Sequence, residues 1–161
     1  MTSKTVFLNV LTALALLLTP WVVHAESAEA DEAKAMLDKA VDLFSKEGHV
    51  RAICAINTDR ESFVKGELYV FVINLQGTIF AHSVDPYITG VSYKGVVDAR
   101  GTPLGKNIIE LATTKGEGSV EYFWPNYKTN EVEKKHTFIK HIKETDFVVG
   151  VGYYIREKAV K

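Results

Sequence analysis

The sequence predicts an α+β domain in which one long N-terminal helix packs behind a central antiparallel sheet of about five strands. Three observations support this prediction. Apolar residues recur every three or four positions from residue 33 to residue 44, whereas after residue 66 they form short continuous or alternating segments. Polar turns separate those later segments, which is typical of hairpins. Because the helical and strand segments are largely segregated, we expect one sheet with the helices on one side.

The helical region begins with an amphipathic pattern. Its apolar stripe consists of Ala33, Leu37, Ala40 and Phe44. Residues at these spacings share one face of a helix, and that face is expected to pack on the sheet. Gly48 ends or kinks the helix, and the following segment "HVRAICAIN" is predicted to continue helical structure to about Asn57.

Five segments have strand character. "ELYVFVI" is apolar on both faces and predicts a central strand, and "TIFAHS" follows the turn "NLQG" as its hairpin partner. An irregular insert rich in Gly and Pro comes next, then a short predicted helix, "KNIIELATT". "GEGSVEYFW", "KKHTFIKHI" and "FVVGVGYYI" predict the last three strands. Gly150 and Gly152 leave one face of the final strand bare, which predicts close approach of another backbone.

The first 25 residues are predicted to be a signal peptide. Lys4 precedes an apolar run that is interrupted by Pro20, and the run ends with small residues at Val23 and Ala25. We expect cleavage after Ala25, which leaves residues 26–161 as one ligand-binding domain in the periplasm or outside the cell. No later segment is apolar for long enough to span a bilayer.

Composition excludes several classes of function. The net charge of −1 lacks the basic excess of a nucleic-acid-binding protein. Cys54 is the only cysteine, so no intrachain disulfide can form, and we interpret it as a small core residue. No Cys/His spacing typical of a metal site, no cofactor attachment motif and no catalytic motif is present. We therefore expect no metal, no cofactor and no catalysis.

The stretch from Val120 to Phe138 crowds aromatic and basic side chains around Pro125. Tyr122 and Trp124 are two apart on a predicted strand and point to one face, either into the core or into a pocket where their polar tips are used. Lys134 is expected to be a solvated turn residue. Lys135 opens the next strand, and we expect it near the mouth of such a pocket, facing the loop "DARG". It is either a solvated turn residue or the partner of an anion, because burying an unpaired lysine is costly.

Three further residues are candidates with simpler alternatives. His82 ends a predicted strand and is either structural or in contact with a ligand. Asp98 and Arg100 flank the turn "DARG". Asp98 either caps its own backbone or pairs with a ligand amine or with Lys135.

The order of these motifs resembles a single Cache domain, a PAS-like extracytoplasmic sensor module of chemoreceptors and histidine kinases. The segments that match are "YVFVINLQGTIFAHSVDP", "GVVDARG", "GSVEYFWPN", "EKKHTFIK" and "VVGVGYY". The resemblance implies a ligand pocket between the sheet and the insert, with His82, Asp98, Tyr122, Trp124 and Lys135 at its matching positions. Two departures affect the pocket rim: Ser83 replaces a frequent proline, and Asn126 and Tyr127 follow the "WP" step.

The resemblance implies a free-standing sensor that binds a small organic acid or amino acid without catalysis. One alternative is an interaction subunit with a vestigial pocket, which docks on a membrane-bound receptor or histidine kinase. An enzyme of unrecognised mechanism is the remaining alternative. An enclosed cavity with inward polar groups favours the binding domain, whereas a collapsed pocket favours the interaction subunit.

Overall fold

The computed structural model describes residues 28–156, and the predicted signal peptide lies outside them. The helices are α1 (Ala28–Glu47), α2 (His49–Thr58), α3 (Arg60–Phe63) and α4 (Leu104–Lys115). The strands are β1 (Val64–Lys65), β2 (Leu68–Asn74), β3 (Ile79–His82), β4 (Glu117–Pro125), β5 (Val132–His141) and β6 (Phe147–Tyr154). The predicted α+β class, the N-terminal helix and the antiparallel sheet are confirmed.

One continuous sheet forms the centre of the fold. Its strands follow the order β1–β2–β6–β5–β4, with β3 also paired to β2, and every pairing is antiparallel. The predicted central strand is confirmed, since β2 is buried from Leu68 to Ile73. The short β1 was not predicted, because two residues are too few to show an alternating pattern.

One face of the sheet carries α1 and α2. The buried residues of α1 include the whole predicted stripe, and they pack against valines of β2 and β6 such as Val70 and Val151. Gly48 has φ 78°, a left-handed conformation that glycine adopts without strain, and α2 begins at the next residue. The helix break predicted at Gly48 is therefore confirmed.

The other face is also covered, which corrects the expectation of helices on one side only. Leu104, Ile108 and Ala112 of α4 form a second buried cluster with Phe71 of β2 and Ile139 of β5. Helical periodicity shows that a helix has a buried face, but it does not specify which face of the sheet receives it.

The prediction that Cys54 is a small core residue was also wrong, because this residue is exposed on α2.

Candidate functional site

A partly enclosed cavity of about 50 Å³ lies between the sheet face that carries α4 and the insert that follows β3. Its walls are mainly aromatic. The lining residues are Tyr69, Phe71, Ile73, Ile79, His82, Ile88, Tyr93, Tyr122 and Trp124. A single water needs about 10–15 Å³ of such space, so the cavity admits a few water molecules or a ligand of a few non-hydrogen atoms.

Tyr122 and Trp124 share the cavity face of β4, as the strand period predicts. Tyr122 is buried, and its hydroxyl forms a 2.8 Å hydrogen bond with Oγ1 of Thr137 on β5. The Trp124 ring meets it edge-on at 5.9 Å between ring centroids. Glu121, on the opposite face of β4, pairs with Lys134 at 2.6 Å. The expected solvated role of Lys134 agrees with this exposed pair.

His82 lines the cavity at the end of β3. Its Nδ1 accepts the backbone N–H of Asp85 at 3.0 Å, and its ring centroid lies 4.8 Å from that of Tyr69. Burial lowers the pKa of His82 to about 4, and the nearby charge of Lys135 acts in the same direction. The ring is therefore neutral at pH 7, with its proton on Nε2, where it serves as a hydrogen-bond donor.

Lys135 is the most unusual residue of this face, because it is only 1% exposed. Its Nζ has no hydrogen-bond partner among residues 28–156. The nitrogen lies 3.7 Å from the ring centroid of Tyr69 and 4.7 Å from that of Tyr154. Burial lowers the pKa of Lys135 to about 7, against a smaller opposing effect of Glu67.

Sheet register explains how this lysine comes to be buried. Lys135, Thr137 and Ile139 alternate onto the inner face of β5, and Lys135 stands opposite Tyr122 of β4 and Tyr154 of β6. It was expected near the pocket mouth and facing the "DARG" loop. That placement is wrong, since Lys135 is buried beneath Tyr69.

The bare face of β6 is approached chiefly by side chains, whereas the predicted close approach of another backbone is found only at Gly152, where a Cβ would lie 3.0 Å from the carbonyl oxygen of His136. A Cβ on Gly152 would lie 2.7 Å from Cε of Lys135. A Cβ on Gly150 would overlap the ring of Phe71, which lines the cavity. The two glycines therefore create the space that the lysine stem and the cavity wall occupy.

Asp98 and Arg100 are placed together but away from the cavity lining. The Asp98 carboxylate accepts the backbone N–H groups of Arg100, Thr102 and Phe123, at 2.9, 2.7 and 3.0 Å. These bonds, chiefly that from Phe123, lower the pKa of Asp98. The exposed Arg100 guanidinium stacks 3.3 Å above the Phe123 ring. Asp98 thus fastens the insert to β4, and ligand contact by either residue stays a prediction.

A larger open cleft lies near the start of α1 and the end of β6, with a volume of about 520 Å³. Four of its charged side chains form two ion pairs with each other. Lys65 pairs with Glu32 at 2.9 Å, and Arg156 pairs with Glu67. Within residues 28–156, no cluster of His, Cys, Asp and Glu suits a metal ion, and no helix has the length and apolarity needed to cross a bilayer. The aromatic cavity and the neighbouring Lys135 are therefore the candidate site.

The sequence-based prediction missed three aromatic residues of this site. Tyr69 contacts the Lys135 nitrogen and lines the cavity, Tyr93 lines it from the insert, and Tyr154 covers the nitrogen from β6. A signal was available in "ELYVFVI", where Tyr69 and Phe71 alternate with Val70 and Val72. Because β2 is buried on both faces, composition alone did not distinguish the helix side from the cavity side.

Residues 33–160 match the family model of the Cache domain. The chain belongs to the Cache domain family. Cache domains are extracytoplasmic sensor modules that bind small molecules.

Solved structures support the fold assignment. A methyl-accepting chemotaxis protein from Vibrio parahaemolyticus is 21% identical, with a TM-score of 0.66 over 80% of this chain and 89% of its own. The periplasmic sensor domain of a chemotaxis protein is 21% identical, with a TM-score of 0.62 over 80% of this chain and 92% of its own. A Cache chemosensory domain that recognises carboxylic acids is 19% identical, with a TM-score of 0.61 over 80% and 89% of the two chains. At sequence identities of 19–21%, this structural similarity shows that the three proteins and this chain share a fold.

Proposed function

We propose that this protein is an extracytoplasmic sensor domain that reversibly binds a small organic anion, with a carboxylate as the favoured headgroup and without catalysis. In this proposal the signal peptide of residues 1–25 delivers the chain to the periplasm or the cell exterior. The family membership supports a sensory role. The carboxylic-acid-recognising Cache domain of similar fold agrees with the ligand class.

The observation that carries the proposal is the buried and unpaired nitrogen of Lys135. Burying an ammonium without a partner costs several kcal/mol, so such groups are normally paired. The rings of Tyr69 and Tyr154 supply only partial compensation through their π faces. A carboxylate would supply the missing charge and a strong charge-assisted hydrogen bond. A bound anion would therefore provide the partner that the buried Lys135 nitrogen lacks.

The aromatic cavity suits the carbon chain of such an acid. Its walls are apolar, and they add the neutral His82 imidazole and the Trp124 indole as potential donors. Tyr69 lines the cavity and also covers the Lys135 nitrogen. In our proposal the Tyr69 ring turns aside when the ligand enters, a side-chain change that is common on binding. The carboxylate then meets Lys135 while the carbon chain remains among the rings.

A second candidate function rests on the size of the cavity. Ligand pockets usually measure about 300–1,000 Å³, well above the 50 Å³ found here. A vestigial pocket would fit an interaction subunit that docks on a membrane-bound receptor or histidine kinase.

A thermal-shift screen of residues 26–161 against short organic acids and amino acids distinguishes the binding domain from the interaction subunit. A binding domain gains about 2.7 kcal/mol of stability at one hundred times the dissociation constant. Absence of any shift supports the interaction subunit.

Replacing Lys135 by Met should weaken binding of the acid found in that screen by roughly 1.5–3 kcal/mol, the usual worth of a hydrogen bond to a charged group. Methionine fills the space of the aliphatic stem and removes only the charge. Calorimetric titration of the wild type and of Lys135→Met measures the difference.

The matched control is Lys134→Met, which removes the neighbouring lysine from the opposite face of the same strand, where it pairs with Glu121. This variant should bind as the wild type does. Equal losses in the two lysine variants would indicate a general electrostatic effect and would contradict a specific contact at Lys135.

A further inference from the structure

We propose that anion binding beside Lys135 is coupled to uptake of one proton by this lysine, so that the domain binds its ligand more weakly as the solution becomes more alkaline. This inference rests on the proposed function and adds a regulatory property to the same site. Its geometric basis is that the free protein surrounds the nitrogen with aromatic rings and glycine, whereas a bound carboxylate would place a negative charge against it.

The free site does little to hold a proton on Lys135. Its nitrogen faces Tyr69 of β2 and Tyr154 of β6, and its stem lies against Gly152. Glu67, in the turn before β2, favours the charged form only in part. The Glu67 carboxylate is already engaged, since it accepts one hydrogen bond from the Asn126 side-chain amide and pairs with Arg156. Burial therefore dominates and brings the pKa of the free lysine to about 7.

The other titratable groups around this nitrogen stay neutral across the relevant range. Burial raises the pKa of Tyr69, of Tyr122 on β4 and of Tyr154, so the three phenols remain protonated at neutral and mildly alkaline pH. His82 of β3 has a pKa of about 4 and is neutral above pH 6. Tyr127, in the turn between β4 and β5, also has a raised pKa. Between pH 6 and pH 9, a change in anion affinity at this site is therefore attributable to Lys135.

Thermodynamic linkage between proton and anion binding determines whether the affinity rises or falls with pH. An anion favours the charged lysine, so the pKa of Lys135 is higher in the complex than in the free protein. Below pH 7 both states carry the proton and the affinity is nearly constant. Above pH 7 the free protein has lost a proton that the complex keeps, so binding takes one up. The dissociation constant should then rise about tenfold per pH unit until the pKa of the complex is reached.

The experiment is calorimetric titration with propionate at pH 6, 7, 8 and 9, in two buffers with different heats of ionisation. We expect little proton uptake at pH 6, close to one proton at pH 8 and above, and a dissociation constant on the order of tenfold higher at pH 8.5 than at pH 7. Lys134→Met is the matched control and should show the same affinity profile and the same proton uptake as the wild type, because Lys134 lies on the opposite face of β5 and pairs with Glu121.

The outcomes are distinguishable. Propionate binding with a constant affinity and no proton uptake between pH 6 and pH 9 overturns the coupling and leaves the proposed function intact. Failure to bind at every pH, together with no response in the acid screen, overturns the proposed function and the coupling with it. Proton uptake that disappears in Lys134→Met would belong to that lysine and would overturn the coupling at Lys135.

Discussion

Lys135→Met is expected to make the ligand-free protein more stable at pH 7, by about 1–4 kcal/mol, although the same change weakens binding. Burying an ionisable group without a charged partner opposes folding. Even complete buried ion pairs are often replaced by apolar side chains of similar volume with a gain of about this size. Lys135 is 1% exposed and its nitrogen lacks a hydrogen-bond partner among the described residues. Urea denaturation of the two proteins measures the difference. A less stable variant would show that the ammonium contributes to the fold itself and would contradict a ligand-directed role.

The same comparison has a defined pH dependence. The pKa of Lys135 is lowered in the folded protein from 10.5 to about 7, so between these values the unfolded chain binds a proton that the folded chain has released. Stability of the wild type therefore rises with pH from about 7 to about 10, by up to 1.4 kcal/mol per unit from this residue. Lys135→Met should lose this rise, whereas Lys134→Met should keep it.

Gly105→Ala is expected to destabilise the fold by about 3 kcal/mol and to abolish ligand binding. A Cβ at this position would overlap the carbonyl oxygen of Tyr93 and lie 3.0 Å from that of Lys94. Gly105 also donates its N–H to the carbonyl of Val96 at 3.0 Å, which holds the insert against the first turn of α4. Overpacking usually costs about 1–3 kcal/mol, and a clash with backbone falls at the upper end because no rotamer relieves it.

Binding should fail in this variant because the displaced backbone carries Tyr93, which lines the cavity. Gly95→Ala, in the insert that Gly105 contacts, is the matched control, since a Cβ there meets no atom within 4 Å. It should leave stability within about 1 kcal/mol of the wild type and leave binding unchanged. Equal behaviour of the two alanine variants in thermal denaturation and titration would refute the role of Gly105.

The sequence predicted those parts of the fold that a residue pattern encodes directly. The stripe of Ala33, Leu37, Ala40 and Phe44 needs only helical periodicity, and the long strands need only apolar alternation. The placement of α4 across the sheet could not be predicted in this way. The four-residue helix α3 and the two-residue strand β1 could not be predicted either, because they are too short to show a helical or strand periodicity.

The candidate site was predictable in its residue types and only partly in its geometry. Strand alternation correctly placed Tyr122 and Trp124 on one face. The same alternation places Lys135 on the same face of the strand as Thr137 and Ile139. Because burying a charge is costly, however, we predicted that Lys135 lies at the rim of the pocket. Its burial depends on Gly152, in a strand beyond the next turn, and on Tyr69, which is distant in sequence. Such long-range contacts leave no local pattern.

The two departures from the family pattern have structural roles close to the site. Ser83 replaces the frequent proline, and its hydroxyl accepts the N–H of Val70 at 3.0 Å and donates to the carbonyl of Phe63 at 2.8 Å. Asn126 is fully buried, and its side-chain amide donates to both Glu67 and Glu133. Asn126 therefore helps to hold the acid that acts on Lys135. Ser83 and Asn126 therefore hold residues around the cavity in place, although neither of them lines it.

The central claim is that Lys135 is the counter-ion of a small carboxylate, and NMR of the protein with lysine labelled at Cε and Nζ tests it most directly. The Lys135 signal is assigned by its absence in Lys135→Met. In the free protein this signal should titrate near pH 7, far below the ordinary lysine value of 10.5. Saturating propionate should shift the signal and raise its apparent pKa, while the Lys134 signal stays in place. A Lys135 signal that titrates near the ordinary value of 10.5, or that does not respond to saturating propionate, would contradict the account.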